Sequence, residues 1–276
     1  MTMQLLVLGA NGRIGRELRR IWPRDLPGGL RPLWHSRNAG FRWDMLAEPF
    51  PGMEPGGVVL NLAGVTDARR PVTQNIDLAM AACAAAEAAG ARHLFLLSSA
   101  AVYGAHPTYD FREIDPPAPA NPYGRAKLEM EQAAQDWASP GKPGLTILRL
   151  GNVVGADALL GRARPGAPVL LDPAPGQEGG PLRSYIGPRS LASVLARLAA
   201  LAAEDAPLPQ LLNLAAAPPV SMRALLEAAG LDWRWGPETP DVIPRVGLDT
   251  RLLQGLCPLP PGAGDPAAMV AEWRTP

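Results

Sequence analysis

The chain has 276 residues, is 47% hydrophobic, and balances 26 basic against 26 acidic side chains. That length accommodates one large core, or a core with a smaller lobe. Zero net charge and the lack of any long basic run exclude the electrostatic footprint of a nucleic-acid binder, so small-molecule partners are expected. Cys83 and Cys257 have no metal-ligand spacing, so neither a metal nor a disulfide framework is expected. The longest apolar runs fall short of the ~20 residues a membrane span needs, and the N-terminus has no basic flank, which makes the cytoplasm the expected location.

In chain order, Gln4–Leu8 reads as a buried strand and Arg13–Ile21 as a helix. Between them, "LLVLGANGRIGREL" sets Gly9, Gly12 and Gly15 at the helix mouth, with Asn11, Arg13 and Ile14 in the same turn. Glycines there permit a tight bend, and the helix N-terminus offers free N–H groups to a pyrophosphate, so a dinucleotide is the expected ligand. The spacing is GxxGxxG, where ordinary two-domain dehydrogenases have GxGxxG. The next strand, Leu30–Trp34, ends in "LWHSRN". An acid that would hold an adenosine 2′-hydroxyl is expected about 20 positions beyond the glycine turn, but His35, Ser36 and Arg37 stand there. Ser36 and Arg37, with Arg13 nearby, suit a 2′-phosphate, so NADP is favoured over NAD; Asp44 is a candidate adenine contact.

Val58–Leu62 reads as a strand and Asn75–Ala89 as an alanine-rich helix that permits close helix approach, either to a second copy in a homodimer or within the domain. His93–Leu97 then runs into "SSAAVYG", which puts two hydroxyls where a buried strand surfaces. The helix Pro122–Trp137 begins "NPYGRAK", setting Tyr123 and Lys127 one turn apart on one face. A phenol with pKa near ~10 is a poor acid or base at neutral pH unless a cation stabilises its anion. Only two of the 26 basic residues are lysine, so with four tyrosines a chance Tyr-xxx-Lys spacing is expected about 0.03 times. Leu145–Leu150, Pro188–Ala203 and Leu211–Leu214 continue the alternation, which predicts an α/β, Rossmann-like doubly wound parallel sheet with helices on both faces. The Pro- and Gly-rich 161–184, and 217–276 with its short helix Ser221–Ala229, read as a small C-terminal substrate-binding lobe. Residues 1–160, with the sheet completed by about 185–216, read as the dinucleotide-binding domain.

GANGRIG, SSAAVYG, NPYGRAK and "ILRLGNVVG" (147–155), in that order, resemble an extended short-chain dehydrogenase/reductase of the NAD(P)-dependent epimerase/dehydratase family. "VVLNLAGVT" (58–66) resembles that family's fourth-strand segment, which implies cofactor contacts at Leu62 and Ala63, and "VGLDTRLLQGL" (246–256) resembles its C-terminal motif. The resemblance selects Ser99 over Ser98 as the hydroxyl that holds the substrate oxygen. It implies that Tyr123 moves the proton, that Lys127 holds the nicotinamide ribose and lowers the Tyr123 pKa, and that Asn75 supports them. Asn152 and Arg183 are implied substrate contacts, Arg183 standing where nucleotide-sugar enzymes of the group contact a diphosphate. Gly187, Arg189 and Ser190 depart from that segment's pattern. Ala100 and Ala101 replace the acid pair used for water elimination, which leaves epimerisation or carbonyl reduction of a sugar nucleotide or related compound. A reductase of a non-sugar carbonyl and a dinucleotide sensor without turnover are the alternatives.

Overall fold

A computed structural model describes residues 2–26, 29–38, 40–66, 70–106, 108–164, 166–239 and 242–275. Seven parallel strands form the central sheet: β1 (Met3–Leu8), β2 (Leu30–Ser36), β3 (Phe41–Arg42), β4 (Val58–Asn61), β5 (His93–Ser99), β6 (Gly144–Leu150) and, last in the chain, a strand at Leu211–Leu214. Their spatial order, from the Leu211–Leu214 edge, is that strand, then β6, β5, β4, β1, β2 and β3. The strands are nearly continuous apolar runs because helices cover both faces. The order reverses at β1, and in open α/β sheets ligands bind outside the carboxyl ends of the strands at such a switch point.

Helices α1 (Arg13–Asp25) and α4 (Pro188–Ala203) cover one face, and α2 (Gln74–Ala88) and α3 (Pro122–Trp137) the other. The core on the first face includes Leu18, Trp22, Phe95, Leu195 and Leu198; that on the second is built on Ala79, Ala82, Ala86, Met130 and Ala134. Alanines let α2 lie close to α3, as the composition of that helix suggested. The first helix runs past Ile21 to Asp25, through Pro23, because buried Trp22 anchors its last turn: the indole donates to Ala192 O at 3.0 Å and tilts against Trp34 at 5.5 Å. The edge strand β3 was not anticipated, since two residues carry no period.

Beyond β6 lie short pieces: β7 (Asn152–Val153), β8 (Val169–Leu171), β9 (Leu182–Arg183) and β10 (Tyr185–Ile186). The Leu211–Leu214 strand is β11, followed by β12 (Val220–Ser221), α5 (Met222–Ala228), β13 (Trp233–Trp235), β14 (Arg245–Val246), α6 (Arg251–Leu256) and α7 (Pro266–Arg274). β9 is flanked by β12 and β14, and β13 pairs with β8, so the 169–183 insertion and the C-terminal segment share small sheets beyond the strand ends. α7 packs back on α4 and α5. No helix among the described residues is long and apolar enough to cross a membrane.

Candidate active site

The glycine turn is shaped by close backbone approach. Gly9 has φ +73°, and a Cβ on it would lie 2.6 Å from Ala63 N, at the end of β4; one on Gly15 would lie 2.5 Å from Ala10 O. Larger residues at either position would push α1 away from the strand ends. Gly12 caps α1 with no side-chain hydrogen bond and no acid follows in the first turn, leaving the N-terminal N–H groups to an anion. His35 braces the turn from β2: its Nδ1 accepts from Gly9 N–H at 3.2 Å, while Nε2 lies 2.8 Å from Trp43 O. That pairing requires the neutral ring with the proton on Nε2, and burial correspondingly lowers its pKa.

A cleft of about 590 Å³ extends from this turn along the strand ends. Gly9, Gly12, Arg13, Ile14, Gly15 and Leu62 line one end, and Ser99, Tyr123, Lys127 and Asn152 the other. Among the described residues its charged lining is Arg13, Arg16, Lys127 and Arg162 against Asp157, a balance that suits a phosphorylated ligand. Of the other expected residues, Asn11, Ala63, Ser36, Arg37 and Asp44 lie outside the lining. Asn11 carries a carbonyl that accepts from Arg16, and Ala63 N–H donates to Asn61. Ser36 is buried at the tip of β2, where its Oγ accepts from Asn38 N–H at 3.3 Å, and Arg37 is exposed beside it. The Asp44 carboxylate accepts from Leu46 N–H at 3.1 Å, a local turn contact.

Tyr123 enters the cleft because Asn121 caps α3, its Oδ1 accepting from Gly124 N–H at 2.8 Å, with Pro122 at the first helical position. Burial raises the Tyr123 pKa; a hydrogen bond with the Ser99 hydroxyl and the charge of Arg13 act the other way. The Lys127 ammonium, the cation expected to act on the phenol, donates to Leu97 O at 2.8 Å, and Arg13 reaches from the glycine turn to Asp157 O at 2.9 Å. Lys127 is 4% exposed, and burial lowers its pKa to about 8, with Glu131 partly offsetting the fall. Asn75 stitches the loop under the cleft, accepting from Val65 N–H and donating to Val65 O and Val72 O.

Arg183 lies in an adjoining cavity of about 360 Å³, to which Asn152 also contributes. Its guanidinium donates to the carbonyls of Leu182 at 2.9 Å and Ile243 at 2.6 Å, and burial lowers its pKa. The departures at 187–190 serve packing: Arg189 pairs with Asp25, and Ser190 donates to Glu272. Sequence reading missed Asp157, whose carboxylate accepts from Tyr185 OH at 3.0 Å and from Leu160 N–H, and whose pKa is raised by burial. It follows directly on the recognised 147–155 segment, and an acid beside a glycine turn was the available signal.

Residues 51–167 match the NAD dependent epimerase/dehydratase family. The chain is 41% identical over 85 residues to a UDP-glucose 4-epimerase of Azospirillum brasilense, covering 30% of this chain and 24% of that protein. It is 43% identical over 94 residues to a UDP-glucose 4-epimerase of Yersinia pestis, covering 32% and 28%. The matched stretches thus span about a quarter of the length of these curated relatives. Over its whole length the fold is similar to a UDP-glucose 4-epimerase of Thermus thermophilus in complex with NAD, with TM-score 0.73, 22% identity and 99% of each chain covered. It is also similar to a UDP-N-acetylglucosamine 4-epimerase from Methanobrevibacter ruminantium, with TM-score 0.75, 18% identity and 99% of each chain covered. These likenesses show a Rossmann-like fold shared from end to end, and the sequence match to the NAD dependent epimerase/dehydratase family spans residues 51–167.

Proposed function

We propose that the protein is an NAD(P)-dependent epimerase or reductase acting on a sugar nucleotide at Ser99, Tyr123 and Lys127. The observation that carries this reading is one cleft with an uncapped helix N-terminus at one end, Ser99, Tyr123 and Lys127 together at the other, and the Arg183 cavity adjoining through Asn152. The glycine turn fits a dinucleotide: it leaves α1 N–H groups for the diphosphate, and Gly9 gives up the space a side chain would fill. When bound, the nicotinamide supplies a hydride acceptor and donor. The Tyr123 phenol takes and returns the proton of the sugar hydroxyl, Ser99 orients that oxygen, and Lys127 presents a cation beneath Gly64, where a ribose would lie. Arg183, a cation whose hydrogen bonds go to carbonyls, is placed to hold the sugar-bearing diphosphate.

The end of β2 supports NADP as a cofactor. His35 is spent on Gly9 and Trp43, and Arg37 is exposed at the tip. Titration with both dinucleotides checks this: Arg37→Ala is expected to weaken NADP binding roughly tenfold and leave NAD unchanged, the worth of one charge-assisted contact. Mass analysis of co-purified nucleotide, followed by a panel of UDP-hexoses against small ketones and aldehydes, tests the substrate class. Conversion of one UDP-hexose into its epimer supports the proposal; turnover of simple carbonyls alone replaces it with the reductase reading. Titratable dinucleotide binding without any turnover replaces it with a sensor. α2 and α3 offer the surface for a homodimer, which sedimentation measures.

A further inference from the structure

Two consecutive residues at the tip of β5 engage successive turns of α3, and the next one, Ser99, lines the cleft with Tyr123. The Leu97 carbonyl accepts from the Lys127 ammonium at 2.8 Å, and the Ser98 hydroxyl donates to Glu131 at 2.5 Å. Positions 123, 127 and 131 are spaced by four, so they form one stripe along the helix. Glu131 is 1% exposed, and its carboxylate also receives Arg149 Nε at 3.1 Å and Nη2 at 2.7 Å from β6. The Arg149 guanidinium lies 4.7 Å over the Tyr103 ring. A buried ion pair of this kind adds little net stability, because desolvation consumes most of the attraction. What it does supply is geometry, since a hydrogen bond weakens outside about 2.7–3.2 Å.

We infer that Ser98 and Glu131 are positioning residues for the Ser99–Tyr123 pair: their hydrogen bond, anchored by Arg149, fixes how far α3 slides along the tip of β5. A slide of about 1 Å is less than the ~1.5 Å rise per helical residue, yet it moves the phenol against Ser99 by a distance comparable to the whole range of a hydrogen bond. The sequence puts this clamp next to the site by making the two hydroxyls adjacent: one holds the helix, the other lines the cleft with the phenol. The inference rests on the proposed role of Tyr123, and its test does not need turnover. The charged groups facing Tyr123 are Arg13 from the glycine turn and Lys127 on its own helix. Those facing Glu131 are Lys127 and Arg149, with Tyr103 and Glu113 beyond Arg149.

The experiment is NMR of the full chain carrying tyrosine labelled with carbon-13 at Cζ, at saturating NADP, the Tyr123 resonance being assigned by its loss in Tyr123→Phe. Ser98→Ala leaves Glu131 satisfied by Arg149, so the variant folds. Its Tyr123 resonance is expected to move and its titration midpoint to rise, as the phenol shifts away from Ser99, whose hydroxyl favours the phenolate, while exposed Tyr109 stays unchanged. Ser98→Thr, which retains the hydroxyl, restores both. Where a UDP-hexose is turned over, kcat falls roughly tenfold at unchanged KM, the effect of a displaced proton donor. A Tyr123 resonance and midpoint identical in wild type and Ser98→Ala, even with a lower melting temperature, would overturn the inference. Failure of every UDP-hexose to react would count against the proposed function alone, since the resonance reads the clamp without substrate.

Discussion

If the Tyr123 phenol moves the proton, its removal separates chemistry from binding. Tyr123→Phe keeps the ring and the packing of α3 but deletes the proton, so turnover is expected to fall about 100-fold or more while dinucleotide affinity is retained. Stopped assays paired with a binding titration measure both, and equal losses in the two would contradict the role. Lys127 sets a pH limit. Its pKa is lowered to about 8, so it is a cation below that value and loses its charge as the pH rises through it. A rate that depends on this cation therefore declines on the alkaline side of about 8, and a profile flat through that region would remove Lys127 from the mechanism. Tyr123 and Lys127 were legible because their spacing alone sets them on one helix face. Their surroundings were not: that Arg13 reaches Asp157 O, and that Lys127 donates to Leu97 O, depends on which strand end and which turn meet the helix.

Among the elements, the β1–α1 turn was read from its glycines, and the structure supplies the contact that requires them, the backbone of Ala63 against Gly9. His35 shows the limit of that reading. Its position suggested a missing acid, whereas its ring supports the turn itself. Strand β5 carries a second buried imidazole at its start: His93 Nε2 lies 2.9 Å from Thr146 Oγ1 on β6. Burial lowers the His93 pKa from 6.5 to about 4. In the window between those values the unfolded chain binds the proton and the folded chain does not, so stability is whole above about 6.5 and declines as the pH falls toward about 4. The span corresponds to at most roughly 3 kcal/mol. Urea unfolding across this range is expected to show the decline and His93→Gln to flatten it; an unchanged slope in the variant would assign the loss to other groups.

At the scale of the molecule, the small sheets built on β8, β9 and their partners set Arg183 beyond the strand ends, in a cavity that shares Asn152 with the main cleft. If that cavity holds the sugar-bearing diphosphate, Arg183→Ala is expected to raise KM for a UDP-hexose at least roughly tenfold and leave dinucleotide binding unchanged. Parallel loss of dinucleotide affinity would instead mark Arg183 as structural. The main sheet was readable from sequence because its signal is local: near-continuous apolar strands alternate with helical periods, and glycine, serine and tyrosine motifs sit at the junctions. The two-residue strands of the second lobe, the Ser98–Glu131–Arg149 clamp and the Asp157–Tyr185 contact were not, because each joins residues 18 to 33 positions apart or more that carry no periodicity of their own. The sequence by itself determined which elements form and which reactive groups they bear. Only the tertiary structure decided which of those groups share a cleft and what charge each one feels, because burial and Coulomb interaction depend on distances in space that chain spacing does not set.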